Sequence, residues 1–128
     1  MKLTQKKREW VIRKVEGYSE VLGIESPKVF LTMSEYNFWK ENKRKEKGER
    51  VGRTNCLGVC HKSEGFIVVL PKRSPSLKIL DNTIRHELIH YTKSYGHYSK
   101  EFKDRMKRLK QGKVKNGRFI SLTHHKSL

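Results

Sequence analysis

Apolar positions along the chain alternate between a helical and a strand rhythm. Over residues 5–22 they recur at three- and four-residue steps, as Val11, Val15, Tyr18 and Leu22, with Thr4 able to cap the start and Gly23 to stop the end. That spacing predicts an amphipathic helix with a basic outer face. Residues 27–32 read as a short strand, after which Ser34 can cap a second helix through Tyr36, Phe38 and Trp39 towards Lys47 and Gly48. Residues 54–61 and 66–70 form two further strand patterns joined by Lys62-Ser63-Glu64-Gly65; Ile67-Val68-Val69 is expected in the sheet core, and Pro71 closes the strand. A long helical pattern then runs from 77 to 95, with Pro75 near its first turn and Gly96 as its stop. Ser99 can cap a last helix over 100–111, ended by Gly112, and 113–121 suit a hairpin about Asn116-Gly117.

Helices mixed with a few short strands indicate an α+β fold, a small antiparallel sheet packed with one long helix and flanking helices. A chain of 128 residues is long enough for one core and too short for two, so residues 1–122 are expected to form a single domain and 123–128 a flexible C-terminal tail.

Charge narrows the partners. Thirty Lys and Arg against 13 Asp and Glu leave +17, and a chain that repels itself this strongly is usually matched to a polyanion, of which nucleic acid is the commonest. A nucleic-acid partner is therefore expected. No apolar stretch approaches the ~18 residues of a membrane span, and the basic start leads into an amphipathic segment instead of a signal-peptide block. The expectation is a cytoplasmic, nucleoid or nuclear protein that is not secreted and has no membrane partner. Cys56 and Cys60 cannot build a disulfide framework. On a strand they stand about 13 Å apart, too far to share a metal, and are read as free packing residues.

The chemistry concentrates in His86-Glu87-Leu88-Ile89-His90. Residues four apart share a helix face with Cβ atoms about 5–6 Å apart, so His86 and His90 can direct imidazole nitrogens at one Zn²⁺. Glu87 is turned about 100° from His86, which sets its carboxylate beside the metal as a general base for the attacking water. A random shuffle of this composition contains the pattern with a probability of roughly 2%, so coincidence is a weak rival. The apolar stripe of this helix, Leu80, Ile84, Leu88, Tyr91 and Tyr95, points away from both histidines, which argues against ordinary core histidines.

A catalytic zinc normally has three protein ligands and a water. His97, just past the Gly96 stop, is the nearest candidate for the third; Glu101, Asp104 and His61 compete, and His124 and His125 fall in the expected tail.

These residues resemble the SprT-like zinc metallopeptidases, the Spartan-related group that degrades proteins trapped on DNA. The likeness covers roughly residues 50–106: Gly52-Arg53-Thr54, Leu57-Gly58, Ile67-Val68-Val69-Leu70, Leu80, Thr83-Ile84, the histidine-glutamate motif, Gly96-His97 and Glu101-Phe102. It implies a zincin-like minimal protease domain, a Zn²⁺ cofactor held by His86, His90 and His97, Glu87 as catalytic base, and repair of DNA–protein crosslinks as the setting. Phe102 lies five positions after His97 where relatives place an aromatic four after, and no cysteine follows Cys60 to build the zinc ribbon many relatives carry.

DNA contact then falls to the basic surface, for which Lys103, Arg105, Lys107, Arg108, Lys110, Lys113, Lys115 and Arg118 are the candidates. Tyr36, Phe38, Trp39 and Phe119 are read as core aromatics in preference to base-stacking ones. The expected function is a zinc endopeptidase acting on DNA-associated or DNA-crosslinked proteins. The alternative is a nucleic-acid-binding module with a structural, non-catalytic zinc.

Overall fold

The computed structural model describes residues 2–47, 58–61, 65–92 and 99–119, with 43–47 and 58–61 described in backbone alone. Helix α1 (Gln5–Leu22) begins where Thr4 Oγ1 accepts from Lys7 N at 3.1 Å and ends where Gly23 turns left-handed at φ 70°. Val11, Val15 and Leu22 are buried along its inner stripe. Strand β1 (Lys28–Phe30) leads into α2 (Met33–Lys47). The cap of α2 is Thr32, not Ser34: Thr32 Oγ1 accepts from Glu35 N at 3.1 Å, and the Glu35 carboxylate accepts from Leu31 N at 3.0 Å. Both residues suit a cap, and Thr32 wins because Glu35 three positions on completes a capping-box-like exchange. Arg8 ties α1 to the same carboxylate at 3.2 Å.

Strands β2 (Gly58–His61) and β3 (Phe66–Val69) form the expected hairpin, with Gly65 at φ 77° in its turn. The sheet order is β1-β3-β2, and here the expected antiparallel sheet needs correcting: β3 pairs antiparallel with β2 but parallel with β1. The chain leaves β1 through a helical crossover, adds β2 at the far edge, and hairpins back so that β3 enters between them along the direction of β1.

Four consecutive buried residues make β3 the centre of the molecule. Ile67 and Val69 face a core containing Val11, Val15, Leu80, Ile84 and Leu88, whereas Phe66 and Val68 face Phe30, Tyr36 and Leu70. Helices therefore cover both faces of the sheet, which explains an unbroken apolar run in place of alternation.

A single 3₁₀ turn (Pro71–Arg73) precedes α3 (Leu77–Thr92), whose first turn is capped by Ser76 Oγ accepting from Ile79 N at 3.2 Å. Helix α3 is the hub, in contact with α1, β2, β3 and α4. Its link to α1 includes a charged cluster: the Tyr18 hydroxyl donates to Asp81 at 2.7 Å, Arg85 lies 3.6 Å from the same carboxylate, and Lys14 lies 3.9 Å from it. Desolvation, together with the Asp81 carboxylate, pushes the Tyr18 hydroxyl up to about 12.

Helix α4 (Lys100–Lys110) starts at Ser99, whose Oγ accepts from Phe102 N at 3.1 Å, and is followed by Gly112 at φ 71°. Strands β4 (Val114–Lys115) and β5 (Arg118–Phe119) flank Asn116 and Gly117, both left-handed at φ 51° and 79° as a type I′ hairpin turn requires. This hairpin docks on the end of α1, where Gly117 N donates to Val21 O at 2.8 Å. A Cβ on Gly117 would meet Leu22 O at 2.8 Å, so glycine is needed there twice over. No described helix is long and apolar enough to cross a membrane.

Candidate functional site

The site begins with the middle of α3, which packs so closely that Glu87, Leu88 and Ile89 are all buried while His86 and His90 on its other side stay half-buried. The imidazole centroids of His86 and His90 stand 4.7 Å apart with their planes at 72°. Two imidazoles sharing one zinc at Zn–N distances of about 2.0–2.1 Å and a near-tetrahedral angle have ring centres about 5 Å apart. The pair therefore fits a zinc ion in donor type and in separation.

Phe102 on α4 completes this wall. Its ring stacks on His90 at 4.5 Å and 15°, and meets His86 edge-on at 4.9 Å and 79°. Phe102 is itself buried, so a rigid aromatic surface restrains both imidazoles. In the sequence Phe102 stands out only as a point of likeness; the Ser99 cap that sets the start of α4 is the signal that could have placed it.

Glu87 is 7% exposed, and desolvation raises its carboxyl from the ordinary 4.5 to about 7 in the metal-free chain. At 100° per residue Glu87 falls about 20° from Leu80, at the edge of the apolar stripe, and the neighbouring elements around α3 close over it. One residue along α3 from His86, this carboxyl can take up and release a proton near neutral pH, the property a general base needs.

Among the described residues, no three His, Cys, Asp or Glu side chains gather as a metal-ligand group. His97 lies outside the described residues, as do His124, His125 and Cys56, and His61 is placed only by its backbone, opposite Phe66 in the β2–β3 register. The other two competitors for third ligand are engaged on α4: Glu101 lies 3.7 Å from Arg105, and Asp104 lies 3.0 Å from Arg108.

No protein-family model, curated protein or solved structure matches this chain.

The basic candidates separate into two sets. Lys103, Lys107 and Lys110 are exposed and recur four and three residues apart, so they form one stripe about 10 Å long on the outside of α4. Lys115 and Arg118 are exposed on the hairpin, with Lys113 half-buried beside Gly112. Arg105 and Arg108 turn inward instead. Besides their carboxylate partners, the Arg105 guanidinium lies 4.0 Å from the Phe119 ring centre, and Arg108 donates to Phe119 O at 3.3 Å. They fasten the hairpin to α4.

Of the aromatics, Tyr36 is buried and Trp39 packs against the same cluster, as expected, and Phe119 is half-buried; Phe38 is 73% exposed. Lys40 is buried with its ammonium 4.9 Å from the Tyr36 ring centre.

Proposed function

We propose that this chain is a zinc-dependent endopeptidase of the SprT-like type that hydrolyses proteins held close to it by nucleic acid. The observation that carries the reading is a paired-imidazole wall with a buried carboxylate one residue along the same helix. His86 and His90 would hold the ion, with His97 the preferred third ligand. Zn²⁺, when bound, supplies a Lewis acid for the scissile carbonyl and acidifies the attacking water. Glu87 would accept a proton from the attacking water at a carboxylate oxygen and return it to the departing amine nitrogen. Phe102 packs against both rings and would restrain them for the ion, and burial around Glu87 would keep bulk water from competing for its proton.

The nucleic-acid part of the reading rests on charge. The stripe Lys103, Lys107 and Lys110, extended by Lys115 and Arg118, offers repeated cations with no base-reading geometry, which suits sequence-independent attachment to phosphates.

Glu87→Gln tests the enzyme reading. The variant should retain zinc and DNA binding and lose cleavage of a DNA-bound protein by about three orders of magnitude or more. Unchanged cleavage would remove Glu87 from the mechanism, and a zinc enclosed by four protein ligands would favour the structural-zinc module.

A further inference from the structure

On the side of α1 that faces the end of α4, the structure has an open cleft of about 330 Å³. It is lined by Arg13, Lys14, Gly17, Tyr18, Val21 and Leu109, and completed by Gly112 and Val114. This is the small end of the range, about 300–1,000 Å³, over which proteins hold small molecules. Its walls combine aliphatic side chains with a tyrosine ring held in place by the 2.7 Å hydrogen bond to Asp81. Cations stand at its edge: Arg13 is exposed, and Lys14 is half-buried with its ammonium 5.8 Å from the Tyr18 ring centre.

Gly17 forms an open part of the cleft wall. A glycine inside a helix destabilises it relative to alanine and is normally excused by a left-handed φ or by close approach of another group. Gly17 has neither: it sits within α1 at a negative φ, and a Cβ built on it meets nothing within 4 Å. A side chain added at Gly17 would project from the cleft wall without meeting other atoms.

Electrostatics select the occupant. The Asp81 carboxylate behind the Tyr18 hydroxyl is already engaged by Tyr18, Arg85 and Lys14. The last turn of α4 exposes no row of bare carbonyls to the cleft, because Lys107 O, Arg108 O and Leu109 O accept from Gln111, Lys113 and Gly112 N–H groups. Lys110 and Lys113 flank Gly112 in sequence and continue the cationic edge towards the α4 stripe. A flat apolar heterocycle carrying a phosphate matches this combination of an aromatic and aliphatic interior with a basic rim.

We propose that the cleft binds an unpaired nucleotide of a single strand, its base against Tyr18 between Val21 and Leu109 and its phosphate at Arg13 and Lys14. The inference rests on the nucleic-acid part of the function proposed above and adds a preference for unpaired bases. The neighbouring phosphates of the strand run along Lys110 and Lys107.

The test is fluorescence anisotropy at one fixed salt concentration, with a labelled oligothymidine, an abasic strand of the same length, and a duplex. The full chain should bind oligothymidine about tenfold more tightly than the abasic strand, the scale of base-on-aromatic stacking. Gly17→Leu should erase that difference, leave duplex binding unchanged, and melt at the same or a higher temperature. Equal binding of the abasic strand overturns the proposal, as does a Gly17→Leu variant that keeps the preference. A clear fall in its melting temperature also overturns it, because the cleft would then be filled by the chain itself. Free thymidine monophosphate competing as well as the oligonucleotide would assign the cleft to mononucleotides. Duplex binding without a base preference sinks the cleft and leaves phosphate attachment standing, whereas binding to none of the three probes at low salt sinks both.

Discussion

Replacing Glu87 by Gln isolates the energetic consequence of burying a carboxyl beside the paired histidines. In the metal-free chain desolvation raises this group from 4.5 to about 7. At about 1.4 kcal/mol per pH unit the difference amounts to about 3 kcal/mol, a large share of the ~5–15 kcal/mol that holds a typical domain together. Because the folded value lies above the unfolded one, the contribution to stability is fully present below pH 4.5 and is lost as pH rises through 7. Glutamine stays neutral throughout and matches the protonated acid in shape. The stability gap, variant minus wild type, should be smallest in acid, grow between pH 4.5 and 7, and level off above that about 3 kcal/mol higher. Urea denaturation of both proteins in chelator, repeated across this pH range, reads the gap directly. A gap that does not change with pH would refute the argument that Glu87 sits in a desolvated place.

Phe102→Leu keeps most of the buried volume but removes the flat surface under His90, so stability should fall by about 1 kcal/mol and zinc affinity, measured by competition with a chromogenic chelator, by about tenfold; unchanged affinity would strip Phe102 of its positioning role. Tyr18→Phe should remove a tyrosine that ionises at about pH 12 in an ultraviolet titration. It should also destabilise the fold by about 1 kcal/mol, a figure kept low because the hydroxyl is only partly buried. Lys107→Ala should shallow the salt dependence of duplex binding by about one counterion, whereas Arg105→Ala should leave that slope alone and loosen the hairpin; equal effects on the slope would contradict the division of the basic residues.

Local signals carried most of the fold. Thr4 with Gly23 delimits α1, Ser99 with Gly112 delimits α4, and Asn116-Gly117 makes the final turn, because capping and left-handed turns depend on a few neighbouring residues. The four-residue spacing of His86 and His90 likewise brought their rings together, since one helical turn suffices for that. What escaped was set by packing between distant segments. The parallel pairing of β1 with β3 depends on where the crossover through α2 deposits β2. Lys40 is buried against Tyr36 for the same kind of reason, whereas the burial of Glu87 was legible, because at 100° per residue it falls about 20° from Leu80 on α3. Arg105 and Arg108 read as part of a basic run, yet Phe119, more than ten residues on, draws both inward.

The account stands or falls on whether the α3 pair holds a metal. Quantifying zinc in the purified protein, and in His86→Ala and His90→Ala prepared alongside it, measures this without reference to any substrate. A single tightly held equivalent in the wild type, lost from both folded variants, is the predicted result. Wild type free of zinc after loading, or either variant retaining a full equivalent, would contradict it.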